Sequence, residues 1–298
     1  MKPAQKVLVL GATGMLGHML FSVLSENDAL ETYATVRKAD ALYQHVRPQI
    51  HARILSGVDA NDFTSIQRAL TSLHPDVVIN CIGIIKQQPQ ANDPVICISI
   101  NSLLPHLLSN ACSTIGARLI HISTDCVFSG TKGFYTEQDH SDAIDLYGRS
   151  KFIGEVDAPH CITLRSSMIG HELCTSHGLL EWFLGAQKTV QGYSKVIFSG
   201  FPTNEFSRII ADYVIPNTEL SGLYHVSSEP ISKYDLLKLI GQRYDKPVTI
   251  QPYNGIVCDR SLNSERFKAA TGYSAPSWKQ LITRMHRDAS FRSYQFGG

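Results

Sequence analysis

Tyr147-Gly-Arg-Ser-Lys151 places a phenol and an amine four residues apart, inside a stretch of helical periodicity from Leu146 to Val156. At that spacing both side chains stand on one helix face. An ammonium beside a phenol favours the phenolate and lowers its pKa. Tyr147 is then equipped to give a proton to a carbonyl oxygen, or to take one from an alcohol, near neutral pH. Upstream, Ser123-Thr124-Asp125 closes an apolar run, and Thr124 can hydrogen-bond and orient the same oxygen. By itself this tyrosine–lysine spacing also occurs as a surface pair on ordinary helices, so its meaning depends on its company.

That company begins at residue 7, with Val7-Leu-Val-Leu-Gly11-Ala-Thr13-Gly14-Met15-Leu16-Gly17. A short apolar strand enters a glycine-rich turn and a helix follows. Such a turn permits close backbone approach, and the helix N-terminus presents unpaired N–H groups and a positive dipole end to a pyrophosphate. Gly11, Thr13, Gly14, Met15, Leu16 and Gly17 are therefore candidate cofactor residues. The spacing is GxxGxxG rather than GxGxxG, and glycine-rich turns also serve packing alone. Its place at the head of a βαβ rhythm favours the dinucleotide. Arg37 and Lys38 end the next strand, where an acid would accept the ribose of NAD and a base accommodates a 2′-phosphate. NADP(H) is preferred, with NAD(H) left open; the alternative for the two bases is a solvated loop charge. Asp59, after the third strand, is set to accept from the adenine amino group. Cys81, Ile82 and Gly83 end the fourth strand and line the cofactor path, whereas Asn101 reads as a structural helix residue.

The elements that must position these groups alternate. Strand-like runs fall at Val7 to Leu10, Leu30 to Val36, Ile54 to Gly57, Val77 to Ile82, Arg118 to Ser123 and Cys161 to Arg165. Helical stretches fall at Met15 to Leu24, Thr64 to Leu73, Val95 to Ile115 and Leu146 to Val156. Apolar strands separated by helices indicate a parallel sheet covered on both faces, a Rossmann-type doubly wound α/β fold. After about Ser167 the rhythm loosens. Helical signals at Leu179 to Lys188, Glu205 to Ile215, Ile231 to Tyr244 and Trp278 to His286 mix with short strands at Val196 to Phe198, Leu223 to Val226 and Val248 to Gln251. We read 1–167 as the cofactor domain and 168–298 as a smaller mixed α/β substrate region, interleaved with the first.

The 298 residues carry 27 Lys and Arg against 26 Asp and Glu, a balance that argues against a nucleic-acid binder. With 43% hydrophobic and 18% charged residues the chain can build a substantial core. No apolar run approaches the roughly 20 residues that cross a bilayer, and the start lacks the small-residue cleavage site of a secretory signal, so no membrane partner is expected. Seven cysteines without a CxxC pair fit a reducing cytoplasm. His171, Cys174 and His177 lack the HExxH spacing of a zinc site, and no metal is expected. That loop reads as substrate-binding, with Glu172 either a sugar contact or ordinary loop polarity. Arg260 can grip a diphosphate in bidentate fashion or serve a structural salt bridge. Trp182 reads as a core or interface residue and His225 as a satisfied core histidine.

Taken together, Gly11 to Gly17, Ser123-Thr-Asp-Cys-Val-Phe-Ser-Gly130, Tyr135-Thr-Glu137, Tyr147-Gly-Arg-Ser-Lys151-xx-Gly-Glu155, Leu164-Arg165, Pro202-Thr203, Gly222-Leu-Tyr-His-Val226 and Asp259-Arg-Ser-Leu-Asn263 resemble the extended short-chain dehydrogenase/reductases. The likeness is strongest to the dTDP-4-dehydrorhamnose reductase group and spans nearly the whole chain. It implies hydride transfer from NADPH or NADH to C4 of a nucleotide-linked 4-keto-6-deoxyhexose. It also implies a Thr124–Tyr147–Lys151 triad, with Lys151 also holding the nicotinamide ribose. Ser123 competes with Thr124, and Ser123, Asp125, Glu172 and Arg260 are the substrate candidates. The resemblance further implies sugar-nucleotide or surface-polysaccharide synthesis in the cytoplasm; a homodimer is compatible with it. Cys126 replaces the family's usual aromatic, and Asn80-Cys-Ile-Gly83 replaces a more alanine-rich segment, departures that bear on the sugar. Two alternatives stay open. One is an epimerase or dehydratase of the same fold, although Asp125-Cys126 lacks the Asp-Glu pair of a dehydratase. The other is a cofactor-binding regulatory subunit, like that of methionine adenosyltransferase.

Overall fold

Val7, Leu8, Val9 and Leu10 expose no surface at all. A strand so buried on both faces belongs in the middle of a covered sheet. The computed structural model, which describes residues 4–173 and 175–288, places it there. In chain order the sheet's strands are β1 (Gln5–Leu10), β2 (Leu30–Thr35), β3 (Ile54–Leu55), β4 (Val77–Asn80), β5 (Arg118–Thr124) and β6 (Cys161–Ser166), followed by Gly222–His225. In space they run Gly222–His225, β6, β5, β4, β1, β2, β3, all parallel. Strand order therefore reverses between β4 and β1, and ligands of open α/β sheets sit outside the carboxyl ends at such a reversal.

The helices of the first half are α1 (Gly17–Leu24), α2 (Asp40–Tyr43), α3 (Phe63–Leu73), α4 (Pro94–Cys97), α5 (Leu104–Ile115) and α6 (Leu146–Ile153). On one face of the sheet Leu8 and Leu10 pack with Ile66 and Leu70 of α3 and Leu104 and Leu108 of α5. On the other face Val7 and Val9 pack with Leu20 and Leu24 of α1. That second core continues into the C-terminal half through Phe201, Phe206, Leu236 and Leu281. The later half thus adds a seventh strand and a helical cover to the main sheet and shares its core. It also forms a small sheet from Ile231–Ser232, Val196–Phe198 and Cys258–Asp259, and a parallel pair of Thr189–Tyr193 with Thr249–Tyr253.

Two sequence expectations shift. α4, a π-helical stretch (Ile98–Leu103) and α5 make one run, Pro94–Ile115, whose 22 residues are long and apolar enough to cross a bilayer. In this fold it lies against the sheet, half buried, with Asn101 and Ser102 bonded to Ser150. The helix expected from Ile231 begins at Lys233, because Ile231–Ser232 pairs with Val196–Phe198 and the Ser232 side chain caps the Asp235 N–H.

Candidate cofactor and catalytic cleft

A cleft of about 1310 Å³ opens along the carboxyl ends of the strands. Its entry is the turn after β1. Gly11 has φ of +80°, and a Cβ on Gly17 would lie 2.2 Å from the Gly11 carbonyl oxygen, so only glycine lets α1 start there. These two residues shape the turn, while Thr13, Gly14, Met15 and Leu16 line the cleft. The His18 and Leu20 N–H groups donate to the Gly14 and Leu16 carbonyls, so what the start of α1 offers an anion is the positive end of the helix dipole beside the turn. Nδ1 of His18 lies 2.8 Å from the Gly14 carbonyl, and burial pulls its pKa down to about 3, so the ring is a neutral tie behind the turn.

Arg37 and Lys38, both exposed, line the cleft beyond β2. Asp59 lines it as well, with its Oδ1 accepting from the Asn61 backbone at 3.0 Å and side chain at 2.9 Å. Cys81, Ile82 and Gly83 form part of the wall. Burial pushes the Cys81 thiol up to about 12 against the opposing charge of Lys151, so it stays neutral.

At the chemical end, Asp145 caps α6 by accepting from the Gly148 N–H at 2.8 Å. A Cβ on Gly148 would lie 2.2 Å from the Cys126 carbonyl oxygen, so glycine seats α6 directly against the segment after β5. The far side of α6 is pinned by Ser102, whose hydroxyl donates to the Ser150 carbonyl at 2.8 Å. Asn101, in the π-helical stretch, donates to the Ser150 hydroxyl at 3.2 Å and accepts from the Ile84 N–H at 2.9 Å. Its role is the structural one its sequence position suggests, and it couples the loop after β4 to the helix bearing Tyr147.

Lys151 is buried and its Nζ donates to the Ile122 carbonyl at 2.8 Å. Burial pulls its pKa down to about 8, with Glu155 and Cys81 opposing. Tyr147 goes the other way: burial pushes its phenol well above the ordinary value, reinforced by Cys126, Asp125 and Asp145 and opposed by a hydrogen bond with Thr124. This corrects the expectation that the tyrosine–lysine spacing lowers the Tyr147 pKa. The Lys151 ammonium gives one of its three N–H groups to a backbone carbonyl, and the phenol is desolvated beside acidic groups. The arrangement therefore presents a neutral phenol, a proton donor, with Thr124 as its hydrogen-bonding neighbour.

Ser123 lines the cleft, yet its hydroxyl donates to Glu155 at 2.6 Å. Arg165 grips the same carboxylate from Nε at 2.7 Å and Nη2 at 2.6 Å. His225, neutral because burial pulls it down to about 3, holds its Nε2 3.2 Å from Arg165 Nη1. The Ser123 hydroxyl is thus committed to a buried network, and the hydroxyl hydrogen-bonded with Tyr147 is that of Thr124. Thr124 Oγ1 donates to Asp125 at 3.1 Å, and burial raises the Asp125 pKa against the opposing charge of Arg260. Arg260 itself lines the cleft while its Nε donates to the Phe128 carbonyl at 2.7 Å.

Glu172 borders the cleft, but its carboxylate accepts from Thr175 at 2.9 Å and from the Gly178 N–H at 2.8 Å, closing its own loop. His171 pairs with Glu181 at 2.7 Å, and Cys174 lies outside the described residues. Trp182 is 45% exposed, and so is not a core residue. Among the cleft residues that sequence reading missed are two lysines, Lys86 and Lys233. Lys86 is three residues past Gly83, in the loop that follows the carboxyl end of β4, a position that was a usable signal. Lys233 arrives from a distant helix start, and nothing local marks it.

A doubly wound parallel sheet with a glycine-rich turn after β1 and a Tyr147/Lys151 pair beside β5 defines an extended short-chain dehydrogenase/reductase. Within that class, the family described as the RmlD substrate binding domain matches residues 5–290, and the chain belongs to it. The chain is 24% identical to methionine adenosyltransferase 2 subunit beta of Mus musculus, over 97% of this chain and 92% of that protein. It is 29% identical to the "Probable low-salt glycan biosynthesis reductase Agl14" of Haloferax volcanii, over 74% of each chain. The crystal structure of dTDP-4-dehydrorhamnose reductase from Bacillus anthracis in complex with NADP superposes with a TM-score of 0.76 at 20% identity, covering 95% of this chain and 98% of that one.

Proposed function

We propose that the chain is an NAD(P)H-dependent reductase of a nucleoside-diphosphate 4-keto-6-deoxysugar, in the manner of dTDP-4-dehydrorhamnose reductase, with NADP(H) preferred. The observation that carries this reading is the Tyr147 phenol beside Thr124, at one end of a single cleft that runs to Arg37 and Lys38. The cleft fits the cofactor: Thr13 to Leu16 are open to it, and the residues lining it at the end of β2 are bases rather than carboxylates. Thr13, Gly14, Met15 and Leu16 would hold the pyrophosphate, Arg37 and Lys38 the 2′-phosphate, and Lys151 the nicotinamide ribose. When bound, the cofactor supplies the hydride. Thr124 orients the sugar carbonyl, and Tyr147 Oη gives its proton to the carbonyl oxygen as that oxygen becomes negative. Arg260 offers its remaining guanidinium N–H groups to the substrate diphosphate. The family membership, the reductase likeness from Haloferax and the NADP complex of the structural neighbour support this reading. We place the enzyme in sugar-nucleotide supply for a surface polysaccharide, acting as a soluble protein.

A second reading, a cofactor-binding regulatory subunit, is favoured by the 97% coverage of the mouse relative. One assay separates them: NADPH oxidation against dTDP-, UDP- and GDP-4-keto-6-deoxysugars. The reductase consumes NADPH with at least one sugar, and Tyr147→Phe abolishes turnover while still binding NADPH. Binding without consumption across the panel rejects the reductase and leaves the regulatory and epimerase readings.

A further inference from the structure

Lys86 belongs to the loop after β4, yet its Nζ stands 5.6 Å from the centre of the Tyr147 ring. It also bonds Asp145, the residue that caps α6, at 2.7 Å. Lys151, the cation expected beside the phenol, is instead committed to Ile122. A cation from a different element therefore stands over the Tyr147 ring. A cation within about 6 Å of an aromatic face is attracted to it, and one near a phenol favours its anion.

Resting on the reductase reading, we propose that Lys86 is a positioning residue that sets the acid strength of Tyr147, with Asp145 as its opposing partner. Every charged or titratable neighbour of the phenol enters this balance. Asp125 and Cys126 come from the segment after β5, Asp145 from the α6 cap and Lys151 from α6 itself. Arg260 faces Asp125, Cys126 and Asp145, and Lys233 faces Asp125. Among these groups Lys86 and Asp145 are a pair with partly exposed side chains, 33% and 42%, so each can be altered without opening the core. In the reduction direction a stronger acid hands its proton over more readily. Breaking the same salt bridge from its two ends must then act in opposite directions. Without Lys86 the Tyr147 phenol holds its proton more tightly; without the Asp145 charge, Lys86 acts unopposed and the phenol releases it more easily. A purely structural latch between loop and helix would instead make both losses act alike.

The test uses the full chain bound to NADP⁺, with tyrosine labelled by carbon-13 at Cζ. The Tyr147 resonance is assigned by its disappearance in Tyr147→Phe, and its titration is followed in wild type, Lys86→Met and Asp145→Asn. The amide of the Asp145→Asn variant keeps the capping oxygen. The midpoint moves up by about one pH unit in Lys86→Met and down by a similar amount in Asp145→Asn, and Lys86→Arg restores the wild-type position. In the NADPH-oxidation assay kcat falls roughly tenfold in Lys86→Met, with little change in KM for NADPH. Midpoints that move together overturn the proposal, and so, should the buried phenol stay protonated to about pH 11, does a kcat in Asp145→Asn that falls along with that of Lys86→Met. The resonance needs no turnover. Opposed midpoints in a protein that reduces no sugar would sink the reductase reading alone.

Discussion

Replacing Lys151 by Met tests both the burial of the site and its chemistry. Folding takes the Lys151 amine from an ordinary pKa of 10.5 to about 8, chiefly through desolvation. At about 1.4 kcal/mol per pKa unit, that interval corresponds to about 3 kcal/mol. The sign follows from proton counting. Between pH 8 and 10.5 the unfolded chain still holds a proton that the folded chain has released, so stability rises with pH through that window. Below pH 8 the full cost of burying the cation is present. Lys151→Met has no such group and no such rise. Urea unfolding of both proteins at several pH values from about 7 to about 10.5 isolates the term, since other alkaline titrations are common to the two. The wild type gains about 3 kcal/mol on the variant across the window. The Ile122 carbonyl loses its donor in the variant, which offsets the difference by a roughly constant amount of about 1–3 kcal/mol and leaves its pH dependence intact. Turnover in Lys151→Met is lost throughout. A difference between the two proteins that stays flat across that range would falsify the claim that Lys151 is a buried, costly cation.

Arg37→Ala weakens binding of NADPH at least tenfold more than that of NADH in a fluorescence titration; equal losses would remove Arg37 from the 2′-phosphate. Glu155→Ala leaves the buried Arg165 guanidinium without its carboxylate and lowers unfolding free energy by about 3–5 kcal/mol, read from urea midpoints; a change below about 1 kcal/mol would mean that the pair does not hold the network together. Gly148→Ala sets a methyl against the Cys126 carbonyl, so α6 must shift; stability drops by about 1–3 kcal/mol and kcat falls further than that loss explains, whereas a fully active variant would show that the tight seat is dispensable.

Much of this molecule is legible in one dimension, and particular residues show why. Val7 to Leu10 and Gly11 to Gly17 declare a buried strand, a tight turn and a helix start, because each signal is local: burial on both faces, close backbone approach, a helix dipole. Nearly every expected cofactor and catalytic residue lines the one cleft, from Thr13 to Lys151 and Arg260. Gly11 and Gly17 act one layer behind it, as packing. The short strand Thr189–Tyr193 was illegible because Gly192 interrupts its apolar pattern and its pairing partner, Thr249–Tyr253, lies far along the chain.

The sequence by itself determined the type of chemistry and the elements that carry it, since hydropathy period, glycine placement and the four-residue step from Tyr147 to Lys151 are properties of neighbours along the chain. Only the tertiary structure decided how those groups are tuned. Burial, rather than the adjacent amine, sets the Tyr147 phenol; Lys151 turns to Ile122, Ser123 to Glu155, and Lys86 crosses from another loop to the tyrosine ring. Desolvation and Coulomb terms depend on distance in space and on the water excluded between groups, and neither is fixed by spacing in sequence.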